Sequence, residues 1–180
     1  MSISLGKEYL STAIRRLKYY KELGEKTFAQ LADNDFHYQP NSESNSIAVI
    51  IQHLYGNMLS RWTNFLTEDG EKSWRMRDDE FEVHEYSKKQ LIELWDKGWS
   101  CFLQALESLT ENELLRTIHI HEEPMTVVDA ISRQLVHYPY HIGQILYIGR
   151  MIKDKEWKNL SIPRKKSASV ETKDTEKGMK

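Results

Sequence analysis

Gln134-Leu135-Val136-His137-Tyr138-Pro139-Tyr140-His141-Ile142-Gly143-Gln144 lies in the last third of a chain of 180 residues. Read as a helix, this stretch puts its two histidines about one turn apart on one side, a spacing at which two ring nitrogens can share a metal ion. A reacting metal centre also needs a third protein ligand and a free coordination position. His53 is the residue expected to supply that ligand, from the apolar margin of a neighbouring antiparallel helix that faces the same crevice. Imidazole suits zinc, nickel, copper or iron rather than calcium or magnesium. The plainer alternative is that His137 and His141 are polar edges of a packed helix, hydrogen-bonded to carbonyls or water.

Outward from this stretch, the helical pattern predicts a long helix from Val127 to about Met151, opened by Thr126 with Asp129. Ile131, Leu135, Tyr138, Ile142, Ile145 and Leu146 form its buried side. Pro139 removes the bond to the Leu135 carbonyl and is expected to kink the helix between the histidines. Three more helices precede it. Leu10, Ala13, Ile14, Leu17, Tyr20, Leu23, Phe28 and Leu31 recur at helical spacing and predict a first helix over about Leu5 to Leu31. A second, capped by Ser46 or Asn45, carries Ile47, Ile50, Ile51, Leu54, Met58, Trp62, Phe65 and Leu66, and is expected to break at Glu68-Asp69-Gly70-Glu71. His53 stands one residue off that stripe. Ser87 with Gln90 reads as a capping box for a third helix with Leu91, Leu94, Trp95, Phe102, Leu103, Leu106 and Leu109 inside. Arg116 to Glu123 alternates apolar and polar, which predicts a short strand or an extended loop.

The bulk composition bounds these readings. With 39% hydrophobic residues the chain can build one ordinary core, expected over residues 1–157. Residues 158–180, with Arg164-Lys165-Lys166 and little that is apolar, read as a polar, flexible tail. A net charge of −2 requires neither nucleic acid nor an anionic membrane as partner, and leaves small-molecule substrates open. One cysteine and no long apolar segment predict a cytoplasmic protein without an internal disulfide. There is no glycine-rich phosphate loop, no Gly-x-Ser-x-Gly elbow and no CxxC pair, so nucleotide-dependent and serine-hydrolase chemistry are poor fits.

Asn45-Ser46-Ile47, then Ile51-Gln52-His53-Leu54, and finally His137-Tyr138-Pro139-Tyr140-His141-Ile142-Gly143-Gln144-Ile145 resemble the DinB/YfiT-like superfamily over roughly residues 5 to 152. His-Ile-Gly-Gln is the most specific of these pieces. The resemblance implies an all-α four-helix bundle in up-down-down-up or related order, with long connections. It also implies that His53, His137 and His141 bind a divalent metal, zinc or nickel. Characterised members resemble S-transferases and isomerases, in which the metal activates a low-molecular-weight thiol such as bacillithiol, mycothiol or glutathione; others have no known reaction. A water in the same position would be a hydrolytic nucleophile. The alternative from a different class is a non-catalytic metal- or ligand-binding bundle acting as a homodimer, which exposed Trp and Tyr on outer helix faces would favour.

Supporting roles are less sharply marked. Gln144 is placed to orient a water or a substrate oxygen, against the default of an exposed amide. Asn57 is a second-layer residue or a solvent-facing amide. Tyr138 and Tyr140 could donate hydrogen bonds, although aromatic residues at such positions are more often core. Cys101, among Trp99, Phe102 and Leu103, reads as an inert buried thiol. His119 and His121 read as surface residues rather than groups at the pocket mouth, and Glu122-Glu123 as a turn before Pro124 or as a general base.

Overall fold

Ser4, Ser46, Ser87 and Thr126 each sit in extended backbone and accept a hydrogen bond from the amide three residues on, and each opens a long helix. The computed structural model describes residues 3–161, and within them these helices are α1 (Leu5–Phe28), α2 (Ile47–Trp62), α3 (Lys88–Glu107) and α4 (Val127–Lys153). The Ser87–Gln90 pair closes a capping box in both directions, as its sequence predicts. The remaining regular structure is one hairpin and several single 3-10 turns, so the chain is mostly helical. No described helix is long and apolar enough to cross a membrane.

The helices meet in pairs. α1 lies on α4 and α2 on α3, with further contacts from α1 to α3 and from α2 to α4. One continuous core runs between them, including Leu17, Ile51, Leu54, Leu91, Trp99, Phe102, Tyr138 and Ile145. Each such aliphatic side chain contributes on the order of 1.5–3 kcal/mol by leaving water. Gly98 on α3 lets α2 approach closely, since a Cβ there would stand 3.2 Å from the Tyr55 Cα and 3.3 Å from the Met58 sulfur.

α2 is buried all round rather than on one stripe. Thirteen of its sixteen residues are buried, Gln52, His53, Asn57 and Arg61 among them. The reason is a second layer: the connection from residue 63 to 86 folds back over the outer face of α2 and touches it again at the 3-10 turn Asp79–Phe81. This corrects the expected end of the helix. α2 stops at Trp62, where Thr63 turns extended and Asn64 enters the left-handed region (φ 50°), well before Glu68-Asp69-Gly70-Glu71. α1 likewise ends at Phe28 instead of Leu31, although Leu31 is still buried.

The alternating segment after α3 is a strand with a partner. β1 (Thr117–Ile120) pairs antiparallel with β2 (Glu123–Thr126), in the register Thr117 to Thr126 and Ile120 to Glu123. The two-residue turn His121–Glu122 has positive φ at both positions (55° and 63°), the type I′ geometry that matches strand twist. Neither residue is the glycine or asparagine that signals such a turn, so the second strand was not expected. The Asp69 carboxylate accepts from both turn amides (2.9 and 2.8 Å). At the other end of the chain, Gln30 pairs with the Lys158 backbone and Leu160 packs on the core, which ties residues 158–161 to the helices. The rest of the expected tail, with Arg164-Lys165-Lys166, lies outside the described residues.

Candidate metal centre

α4 runs without a break through Pro139, so His137 and His141 keep their one-turn spacing on one face. Their Nε2 atoms are 3.1 Å apart, and His53 on α2 brings its own Nε2 to 3.3 Å from that of His137. Ligand atoms of all three rings lie within 4.8 Å of one another. Among the described residues no other three His, Cys, Asp or Glu side chains converge in this way.

The opposite ring nitrogens are each held by an oxygen. His53 Nδ1 meets Glu80 Oε2 at 3.0 Å, His137 Nδ1 meets Gln134 Oε1 at 3.3 Å, and His141 Nδ1 meets Gln144 Oε1 at 2.8 Å. A ring that gives its Nδ1 proton to an oxygen carries, when neutral, a bare lone pair on Nε2. Burial, and then the neighbouring histidines, push His137 down to about 3; burial first, and then His53, pushes His141 down to about 4, so both are neutral at pH 7. Lone pairs crowded at these distances cannot satisfy one another, whereas a cation accepts them all. Nitrogens roughly 2.0–2.1 Å from one zinc ion stand about 3.3–3.4 Å apart at tetrahedral angles, and about 2.9 Å apart at right angles. The two separations that involve His137 fall in that interval and the third ring's ligand atom lies within 4.8 Å, so the donor set fits a divalent metal held by three imidazoles with positions to spare.

Behind His53 runs a chain of charges. Glu80 is grasped at two points by Arg75 (Nε to Oε1 2.7 Å, Nη2 to Oε2 2.9 Å), and the Arg75 side chain is only 2% exposed. Burial works against ionisation of both groups, but the His53 ring and this contact hold Glu80 below the usual carboxylate range, and Glu80 with Glu71 holds Arg75 above the usual guanidinium one. Arg75 also reaches Glu71 (3.4 Å), which binds Arg61 (2.8 Å). His121 ends this chain, 3.4 Å from the Glu71 carboxylate, and is exposed like His119.

The chain as a whole matches a family model described as "Protein of unknown function (DUF1572)" over residues 4–166. The chain belongs to the DUF1572 family. No curated protein and no solved structure matches it.

In this DUF1572 protein the three histidines singled out in the sequence come together, and other expectations change. Gln144 places its Oε1 on the His141 ring. Asn57 is buried and accepts from the Tyr138 hydroxyl (3.1 Å), which in turn accepts from the Trp62 indole (3.2 Å); it serves the core. Tyr138 is wholly buried, while Tyr140 is exposed with its ring edge-on to His141 (5.0 Å). Cys101 is partly exposed, not buried, and lies 3.6 Å from the Thr63 hydroxyl. Glu122 and Glu123 belong to the hairpin. Three partners were missed: Gln134, Arg75 and Glu80. Gln134 precedes His137 by three residues as Gln144 follows His141 by three, a symmetry that could have been noticed. Glu80 lies in an irregular segment with no periodicity to mark it, and its one trace in the sequence is Gly56 inside α2.

Proposed function

We propose that this DUF1572 chain is a DinB/YfiT-like four-helix bundle whose three histidines hold a divalent metal, zinc or nickel, for thiol transfer to a small electrophile. The observation that carries this reading is the convergence of three Nε2 atoms whose Nδ1 partners all turn the lone pairs inward. Bound there, a divalent cation would supply Lewis acidity, which lowers the pKa of a thiol or a water into the neutral range. His53, His137 and His141 bind; Gln134, Gln144 and Glu80 orient their rings; α2 and α4 bring the three nitrogens together. No cysteine joins the cluster, so the thiol is a separate small molecule rather than part of the chain.

The test is elemental analysis of the purified chain beside the His53→Ala/His137→Ala/His141→Ala variant. About one equivalent of metal in the first and none in the second is expected, and equal content in both removes the assignment. Turnover of a haloaromatic electrophile with several biological thiols, with and without zinc or nickel, tests the chemistry. A rate that ignores the metal overturns the transfer reading.

A second reading has its own observation. Val136, Tyr140, Tyr147 and Met151 form an exposed stripe on α4, Tyr147 at 70%, beside exposed Gly143. Such a face suits a homodimer that binds metal without turnover. A concentration-independent monomer in sedimentation would remove it.

A further inference from the structure

We propose that Glu80, carried by the connection between α2 and α3, is a positioning residue for the three-histidine site, fixing His53 as an Nε2 donor. The proposal rests on the metal reading above. Of the three groups behind the imidazoles, Gln134 and Gln144 are neutral amides, and Glu80 alone is a carboxylate. The difference matters for the tautomer. An amide can turn and offer its NH2 to a bare Nδ1, but an ionised carboxylate only accepts, so it holds the Nδ1–H form and no other. Charge-assisted bonds of this kind are roughly twice as strong as neutral ones, and a carboxylate behind a ligating histidine also raises the basicity of its metal-facing nitrogen.

Three features are arranged around that contact. Arg75 takes both Glu80 oxygens, sharing Oε2 with the His53 ring, which keeps the buried carboxylate ionised without leaving it uncompensated. Gly56, one turn beyond His53 on α2, leaves a notch that the carboxylate fills; a Cβ there would collide with it. Phe81, next along the chain, lays its ring over His53 with centroids 5.0 Å apart and planes at 32°, closing the outer side of the imidazole. A salt bridge that only pinned the connection would need neither the notch nor the imidazole contact. The connection that hides α2 therefore also completes its metal ligand.

The experiment compares Glu80→Gln, Gly56→Ala and Glu71→Gln by chelator-competition affinity for zinc, the ligand-field spectrum of the cobalt-loaded chain, and thermal melting without metal. Glu71 touches Arg75 and Arg61 but no site imidazole, so Glu71→Gln loosens the same charge chain one link further out. Glu80→Gln and Gly56→Ala are each expected to weaken zinc by ~10–100-fold and to shift the cobalt bands, whereas Glu71→Gln lowers the melting temperature with less than about twofold change in affinity. Gly56→Ala keeps Glu80 in the chain and favours the helix, so it answers the question even if Glu80→Gln folds poorly. Wild-type affinity in Glu80→Gln, beside loss of zinc in His53→Ala, would overturn the proposal while leaving the metal site standing. Equal weakening by Glu71→Gln would also overturn it, because pinning of the connection would then explain everything. A wild-type chain that takes up no zinc or cobalt would instead remove the metal reading itself.

Discussion

His137 is the hinge of the trio, since its Nε2 makes both short contacts, 3.3 Å to His53 and 3.1 Å to His141. His137→Ala leaves only two of the three donors, and its affinity for zinc should fall by more than the ~10–100-fold typical of losing an outer partner. The ring is only partly buried, so circular dichroism should show an intact helical fold. Gln144→Ala belongs lower on the same scale: a neutral acceptor at 2.8 Å is lost, and about tenfold weaker zinc binding is expected in the same titration. An affinity equal to wild type would show that the His141 ring is held by its packing alone. At this scale the sequence was informative about which histidines cluster and silent about what stands behind them. Histidine at one-turn spacing is a chemical signature, whereas an acceptor such as Glu80 becomes meaningful only when an irregular connection lands on a ring 27 residues away.

Elements were legible where a local rule decides them. Ser46, Ser87 and Thr126 are caps because their hydroxyls reach an amide three residues on, which no tertiary contact has to arrange. Ser46→Ala should therefore cost about 1 kcal/mol in urea unfolding and loosen the first turn of the helix that carries His53. Boundaries set by tertiary contacts were not legible. α2 stops at Trp62 because the following segment must turn back over it, and the hairpin turn His121–Glu122 is held by the distant Asp69 carboxylate in place of favourable turn residues. That substitution of a long-range anchor for a local preference has a measurable consequence. Glu122 sits at φ 63°, a region that glycine occupies without steric cost, so Glu122→Gly should raise unfolding stability by roughly 0.5–1 kcal/mol. A loss of stability on this change would mean that the Glu122 side chain holds the turn by a contact of its own.

For the whole molecule, the proposed metal site would link to the fold through both protons and metal. A ligand that binds the folded chain and not the unfolded one stabilises by about 2.7 kcal/mol at a free concentration a hundred times its Kd, so zinc should raise the melting temperature of the wild-type chain and leave the triple-alanine variant unmoved. Acid should act in the opposite sense even without metal. Burial holds His137 down to about 3 and His141 down to about 4 in the folded chain, against 6.5 for a free imidazole. Between these values the unfolded chain binds protons that the folded chain refuses, so stability is fully present above about pH 6.5 and is lost progressively as the pH falls toward 4. Glu80, held below its ordinary range by His53 and Arg75 despite its burial, extends the loss below that window as it is protonated. The measurement is the urea midpoint of metal-free protein from pH 7.5 to 4.5, for the wild type and for His137→Ala/His141→Ala. The wild-type midpoint should fall steadily below about pH 6.5, and the double variant, lacking both suppressed imidazoles, should show a flatter profile over the same interval. Parallel profiles would mean that the two rings reach solvent in the metal-free fold, and that the lone pairs meeting inside this helical protein are not held there by its packing.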